Sequence, residues 1–235
     1  MKERLKDLAQ QSYSRNRGID SDFLTLDEFA EYLKIKNDLA YADPQVYRED
    51  WERKLIHFGY GPAEISLIKI TSKSAKFVNL AHPDYLGALL GLGLERRVIG
   101  DIVAYPDHAY VYVKTSVSDF IIEELSEVGR ARVFAEVLES LPSEAQTVIV
   151  EETLTVSSLR PDKVISSAFR LSRTKAGLAI DEGLVYVNGI QIKNSNHPLL
   201  PGDLVSVRRK GKFRFVSEIK RTKKGSYLIE IGRYK

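Results

Sequence analysis

The chain has no cysteine. That excludes disulfides, thiol catalysis and cysteine-ligated zinc, and it permits an intracellular setting. Long apolar runs are missing too: no uninterrupted stretch reaches the ~18 residues of a membrane span. The opening residues, Met1 to Leu8, are charged and hold no secretory h-region. A soluble cytoplasmic protein is expected. The four histidines, His57, His82, His108 and His197, stand apart and not at metal spacing, so no metal and no cofactor are expected. Neither H-E-x-x-H nor G-x-S-x-G occurs. Gly91-Leu-Gly93-Leu-Glu-Arg96 begins like a dinucleotide fingerprint but ends in arginine and follows a predicted helix, so that reading is rejected. Thr71 to Lys76 reads as a polar turn, because the companion His-x-Gly-His of a synthetase nucleotide loop is absent. Asp101 and Asp107 are the acids near strand ends, without a catalytic pattern around them. No enzyme is expected.

Length and composition come next. With 235 residues, 43% hydrophobic and 29% charged, the chain suffices for two or three small packed domains and is too apolar for disorder. The net charge of +3 hides a strong asymmetry. From Leu159 onward 17 Lys and Arg meet 6 Asp and Glu, a net of +11; residues 1–158 carry 18 basic and 26 acidic groups, a net of −8. A cationic end of this kind points to a polyanion.

Three regions are expected: a helical stretch over 1–62, an α+β domain over 63–156, and a basic domain over 157–235. In the first, Leu5, Leu8 and Ala9 share a helix face, as do Phe23, Leu26, Phe29, Ala30 and Leu33. Thr25 and Glu28 fit a capping box. Pro44 is placed to start a further helix through Trp51 and Leu55. In the second, strands are predicted at Ile65–Ile70, Lys76–Leu80, Val98–Tyr105, Ala109–Lys114, Arg130–Leu138 and Thr147–Val156. Helices are predicted at His82–Leu92 and Val117–Val128. A small sheet with helices on one face follows. In the third, two short helices, Asp162–Phe169 and Ser172–Glu182, precede a series of strands. Asn188-Gly189 marks a primed hairpin turn, since both positions need positive φ.

The basic domain carries the functional signal. Ser172 is placed to cap a helix whose first turn holds Arg173 and Lys175. Cations there oppose the helix macrodipole, so they point to another use, a phosphate seat beside free backbone N–H groups. Arg160 and Lys163 begin the preceding helix. Asp162 either caps it or orients Arg160 or Arg173. Leu159-Arg-Pro-Asp-Lys-Val-Ile, Leu171-Ser-Arg-Thr-Lys-Ala, Glu182-Gly-Leu-Val-Tyr-Val-Asn-Gly and Pro201-Gly-Asp-Leu-Val-Ser-Val-Arg occur in the order of an S4 domain, and the region resembles that RNA-binding module. S4 domains are shared by pseudouridine synthases, tyrosyl-tRNA synthetases and the heat-shock S4 protein. The resemblance implies an RNA face of Arg160, Asp162, Lys163, Ser172, Arg173 and Lys175, with Asn188 and Gly189 at the hairpin turn. Pro161 replaces the family's usual leucine, which puts the direction of Arg160 in question. Beyond the motif, Arg208, Arg209, Lys210 and Lys212 extend the basic surface, as do Lys220 to Lys224. Phe213 and Phe215 share a strand face, open to base stacking or to core packing.

Leu89 to Ile102, upstream of an S4 module, resembles the bacterial YlmH family, which is encoded near cell-division genes. That resemblance implies an RRM-like middle domain and non-catalytic RNA binding. It also implies rRNA and tRNA as partners, on the large ribosomal subunit with peptidyl-tRNA in rescue of stalled translation. The acidic N-terminal region is a candidate surface for a protein partner. Two other classes stay open: an RNA-modifying enzyme targeted by its S4 domain, and a cell-division adaptor.

Overall fold

The computed structural model describes residues 1–47, 51–73, 79–223 and 225–234. The chain divides into two compact units, Met1–Gln146 and Thr147–Lys235.

The first unit opens with helix α1, Lys2–Arg15, strand β1, Ile19–Asp20, and helix α2, Leu26–Ile35. The α2 capping box forms as the sequence suggests. Thr25 Oγ1 accepts the Glu28 N–H at 3.3 Å, and Glu28 accepts the Thr25 N–H at 2.8 Å. A 3-10 turn, Lys36–Ala42, ends at Asp43 in the left-handed region. Residues 48–50 of the helix expected from Pro44 through Trp51 and Leu55 lie outside the described residues, and the described residues on either side are not helical. Pro44–Tyr47 is strand β2, paired antiparallel with β3, Leu55–Phe58. All four residues of β3 are buried, because it is covered on two sides: Ile56 and Phe58 pack with Leu5, Phe29 and Tyr32, while Leu55 packs with Phe23, Trp51 and Tyr112. A spacing that imitates a helix face is here a strand covered on both faces.

The remainder of this unit runs β4 (Ile65–Ser72), α3 (His82–Gly91), β5 (Ile99–Ala104), β6 (His108–Lys114), α4 (Ser118–Glu124), β7 (Glu127–Val128) and β8 (Ala131–Leu138). The antiparallel sheet has the order β5-β6-β4-β8-β7, with β4 central between β6 and β8. This is the split βαββαβ arrangement of an RRM-like domain. Tyr85 and Leu89 of α3 and Ile121 of α4 close one face over Ile68, Ile70, Val111 and Val113. Of the expected strand Lys76–Leu80, residues 76–78 lie outside the described residues, and Asn79 and Leu80 are irregular.

The second unit begins with β9, Ile149–Val156, which pairs along its whole length with β14, Tyr227–Tyr234. The sequence reading groups this strand with the middle domain; its partner is some eighty residues away in sequence, and nothing local announces it. Helices α5 (Pro161–Ala168) and α6 (Arg173–Asp181) follow, then β10 (Val185–Val187), β11 (Ile190–Gln191), β12 (Leu204–Val207) and β13 (Gly211–Arg221). The sheet order is β11-β10-β12-β13-β14-β9, antiparallel throughout. Val164, Ile165, Ala168, Ala176 and Ile180 of the helices pack on Val205, Phe213, Phe215, Ile229 and Ile231 of the sheet. Among the described residues no helix is long and apolar enough to cross a membrane.

Candidate nucleic-acid interface

Pro161 occupies the first position of α5, where its missing N–H costs nothing. Arg160 precedes it in an extended conformation and makes no side-chain cap. Asp162, only 8% exposed, turns back instead. It accepts the Arg160 Nε–H at 3.0 Å and pairs with Lys163 Nζ at 3.3 Å. Burial pushes this carboxyl up, but the hydrogen bonds from Arg160 and Lys163 outweigh it and hold Asp162 below the ordinary carboxylate value. Asp162 therefore stays ionised and fixes two cations at the start of α5. Arg160 also reaches Ser195 Oγ at 3.4 Å.

Helix α6 starts as the sequence suggests. Ser172 Oγ accepts the Lys175 N–H at 3.2 Å. Arg173, Thr174 and Lys175 form an exposed first turn that contains no acid. Among the described residues the Arg173 and Lys175 side chains have no hydrogen-bond or ion-pair partner. Asp162 orients Arg160 and Lys163, not Arg173.

The hairpin between β10 and β11 turns at Asn188, φ 52°, and Gly189, φ 79°. The Asn188 amide bonds within the protein through both its nitrogen and its oxygen. Its nitrogen donates to Asp203 Oδ1 at 2.8 Å, and its oxygen accepts the Leu204 N–H at 2.9 Å. Asn188 is an organiser of this corner. Arg208, Arg209 and Lys210 form the exposed turn from β12 to β13. Arg208 lies over the Tyr186 ring at 5.2 Å, and Lys212 over Tyr234 at 4.9 Å. Lys212 alternates with Phe213 and so points to the sheet face opposite the helices. Phe213 and Phe215 are both fully buried in the core; neither is free to stack on a base.

The site residues thus fall into groups. Arg160, Asp162, Lys163, Ser172, Arg173 and Lys175 gather on the two helix starts. Arg208, Arg209 and Lys210 form a turn, Lys212 faces away, and Asn188 supports the fold. Of the basic run 220–224, Arg221 lies over Tyr227 at 4.5 Å, while Lys224 lies outside the described residues. Sequence reasoning missed Arg170, exposed and at φ 52° between the helices. No local signal marks it, because left-handed positions are usually read from glycine or asparagine.

The middle domain offers less open surface than its topology promises. Tyr110 and Tyr112 are buried on the sheet face away from α3 and α4, under Phe23, Trp51 and Ala145. Asp101 accepts the backbone N–H groups of Glu52 and Arg53 at 2.6 and 2.9 Å. Arg96 donates to the carbonyls of Ile99 and Gly100, and burial, then Arg53, pulls it down to about 10. These groups hold the first unit together.

A family model for the S4 domain matches residues 160–205, and one described as a putative RNA-binding domain in YlmH matches residues 62–141. "Ribosome-associated protein quality control protein P2" of Bacillus subtilis is 34% identical over 161 residues. The chain thus pairs the putative RNA-binding domain found in YlmH with an S4 domain, and it is similar to YlmH-family proteins. The alignment with the Bacillus protein covers 68% of this chain and 63% of that protein, less than two thirds of the relative's length. A solved structure titled "Cell division protein ylmH from Streptococcus pneumoniae" is 19% identical, with a TM-score of 0.49, over 58% of this chain and 87% of that one. The residues set out above on α5 and α6 lie inside the segment that the S4 model matches.

Proposed function

We propose that this protein belongs to the YlmH family and is a non-catalytic RNA-binding factor that docks on the large ribosomal subunit and acts with peptidyl-tRNA in the rescue of stalled translation. The observation that carries the reading is the first turn of α6. Two exposed cations, without side-chain partners among the described residues, stand beside a capped helix start, where they work against the macrodipole unless an anion meets them. Arg160 and Lys163, steered by Asp162, add charge to the neighbouring helix start. RNA phosphates match that surface, and guanidinium groups bind them in bidentate fashion.

Ribosome association is supported by the name of the Bacillus relative, a ribosome-associated protein. The non-catalytic part is supported by the fate of an acid that resembles a catalytic one. Asp101 has its oxygens taken up by the backbone N–H groups of Glu52 and Arg53.

Sedimentation of cell extract tests the reading. The wild-type protein is expected to travel with large subunits, and Arg173→Ala/Lys175→Ala to stay at the top of the gradient. If the wild type also stays at the top, the ribosomal reading fails and free tRNA or a protein partner takes its place.

A further inference from the structure

We infer that Arg170 and Arg209 form a second phosphate clamp on the S4 domain, beside the helix face and in part beyond the matched motif. This rests on the RNA-binding reading above.

Among the described residues five that are not glycine have positive φ: Asn16, Asp43, Arg170, Asn188 and Arg209. Three are Asn or Asp, whose short polar side chains tolerate that region. The other two are arginines, at φ 52° and 62°. Glycine would adopt either backbone at lower cost. Arginine at these positions adds an exposed guanidinium that glycine would not. Both side chains are exposed, and among the described residues neither has a hydrogen bond, ion pair or ring contact.

The two turns meet at Phe169. This ring packs on Phe213 at 5.8 Å and under Arg233 at 5.5 Å. A Cβ at Gly211 would stand 3.7 Å from it. Arg170 directly follows Phe169, and Arg209 lies two residues before Gly211. Both backbones are pinned. The Leu171 N–H donates to Ser166 O at 2.9 Å, and Ser166 Oγ–H donates to Leu171 O at 2.7 Å. In the other turn the Arg208 N–H donates to Leu184 O at 2.9 Å and the Lys210 N–H to Val207 O at 3.0 Å. Rigid turns thus carry two free guanidinium groups, with Lys210 beside one and Arg173 three residues after the other. The planar fork of each suits a phosphate oxygen pair. Arg209 lies past residue 205, where the S4 match ends.

The test uses the full-length protein and purified bacterial large ribosomal subunits, with binding measured over a range of salt and thermal melting in parallel. Arg170→Gly and Arg209→Gly relieve the backbone while removing the charge. Each is expected to melt at or above the wild-type temperature, yet to bind about tenfold weaker, with a log–log salt slope shallower by about 0.7–0.9. Arg170→Lys and Arg209→Lys should retain the slope and lose less affinity. Weaker binding with a lowered melting temperature would assign these arginines to the fold and overturn the clamp. Wild-type binding by the glycine variants, with Arg173→Ala still weakened, would overturn the clamp and leave the S4 reading intact. Wild-type binding by Arg173→Ala as well would overturn both.

Discussion

Asn188 and Asp203 are joined at 2.8 Å, and together they tie the β10–β11 turn to the turn that precedes β12. Asp203 also accepts the Leu200 N–H at 2.8 Å, so the same carboxylate closes its own turn and holds the Asn188 amide. Replacing Asn188 with alanine removes both bonds and leaves a Cβ at φ 52° without the amide's local compensation. A loss of about 2–3 kcal/mol is expected in urea or thermal denaturation. Asn188→Gly keeps the turn and should lose less. RNA binding by either variant should fall only as far as the folded fraction falls.

How much of this was legible in the sequence depends on the range of the interaction. The Thr25–Glu28 capping box, the Asn188-Gly189 turn and the Ser172 cap are encoded within four residues and form as read. Features set by distant partners were not legible. Pro44–Tyr47 is extended because it pairs with β3, and β9 has its sheet because β14 is there. The same holds at the site. The Ser172–Lys175 cluster is contiguous and visible, whereas the neighbourhood of Arg170 and the β12–β13 turn arises only when Phe169 packs against Phe213. Asn188 belongs to the S4 pattern, but its bond to Asp203 is a tertiary fact.

Asp162 gives a prediction in pH. Its folded-state value lies below the ordinary one, so its stabilising contribution is present above the unfolded carboxylate value of about 4 and disappears as pH falls through the lower folded value. Asp162→Asn should therefore be less stable than wild type at pH 7, by about 1–3 kcal/mol for a buried group that loses charged partners. The gap should close as the pH is taken below about 4. A gap that stays constant from pH 7 to pH 3 would show that the pairing with Arg160 and Lys163 contributes nothing through charge. Chemical denaturation at a series of pH values reads it directly.

Trp51 is the sole tryptophan and is buried edge-on against Tyr112, with ring centroids 4.9 Å apart. Its emission therefore reports the first unit alone. Trp51→Ala opens a cavity over the sheet face that holds Tyr110 and Tyr112, and about 3–5 kcal/mol of that unit's stability should be lost. Calorimetry should show one transition moved down. The S4 domain has its own core, so binding of RNA at temperatures below that transition should change little. A large drop in affinity with the first unit still folded would place an RNA contact on the middle domain's covered face.

Salt dependence separates a phosphate seat from a merely basic surface. Each phosphate contact that a cation makes releases condensed counterions, which contributes about −0.7 to −0.9 to the slope of log K against log salt. Arg173→Ala/Lys175→Ala should make the slope of large-subunit binding shallower by about 1.4–1.8, if both cations sit on phosphates. Ser172→Ala is the matched control. It removes the cap that accepts the Lys175 N–H and should cost about 1 kcal/mol of stability, but it changes no charge. Its slope should equal that of the wild type even if its affinity is lower. Equal slopes for the double variant and the wild type would mean that the α6 start does not touch phosphate. The cations of the 208–210 turn and of the β13–β14 ribbon would then have to carry the polyanion.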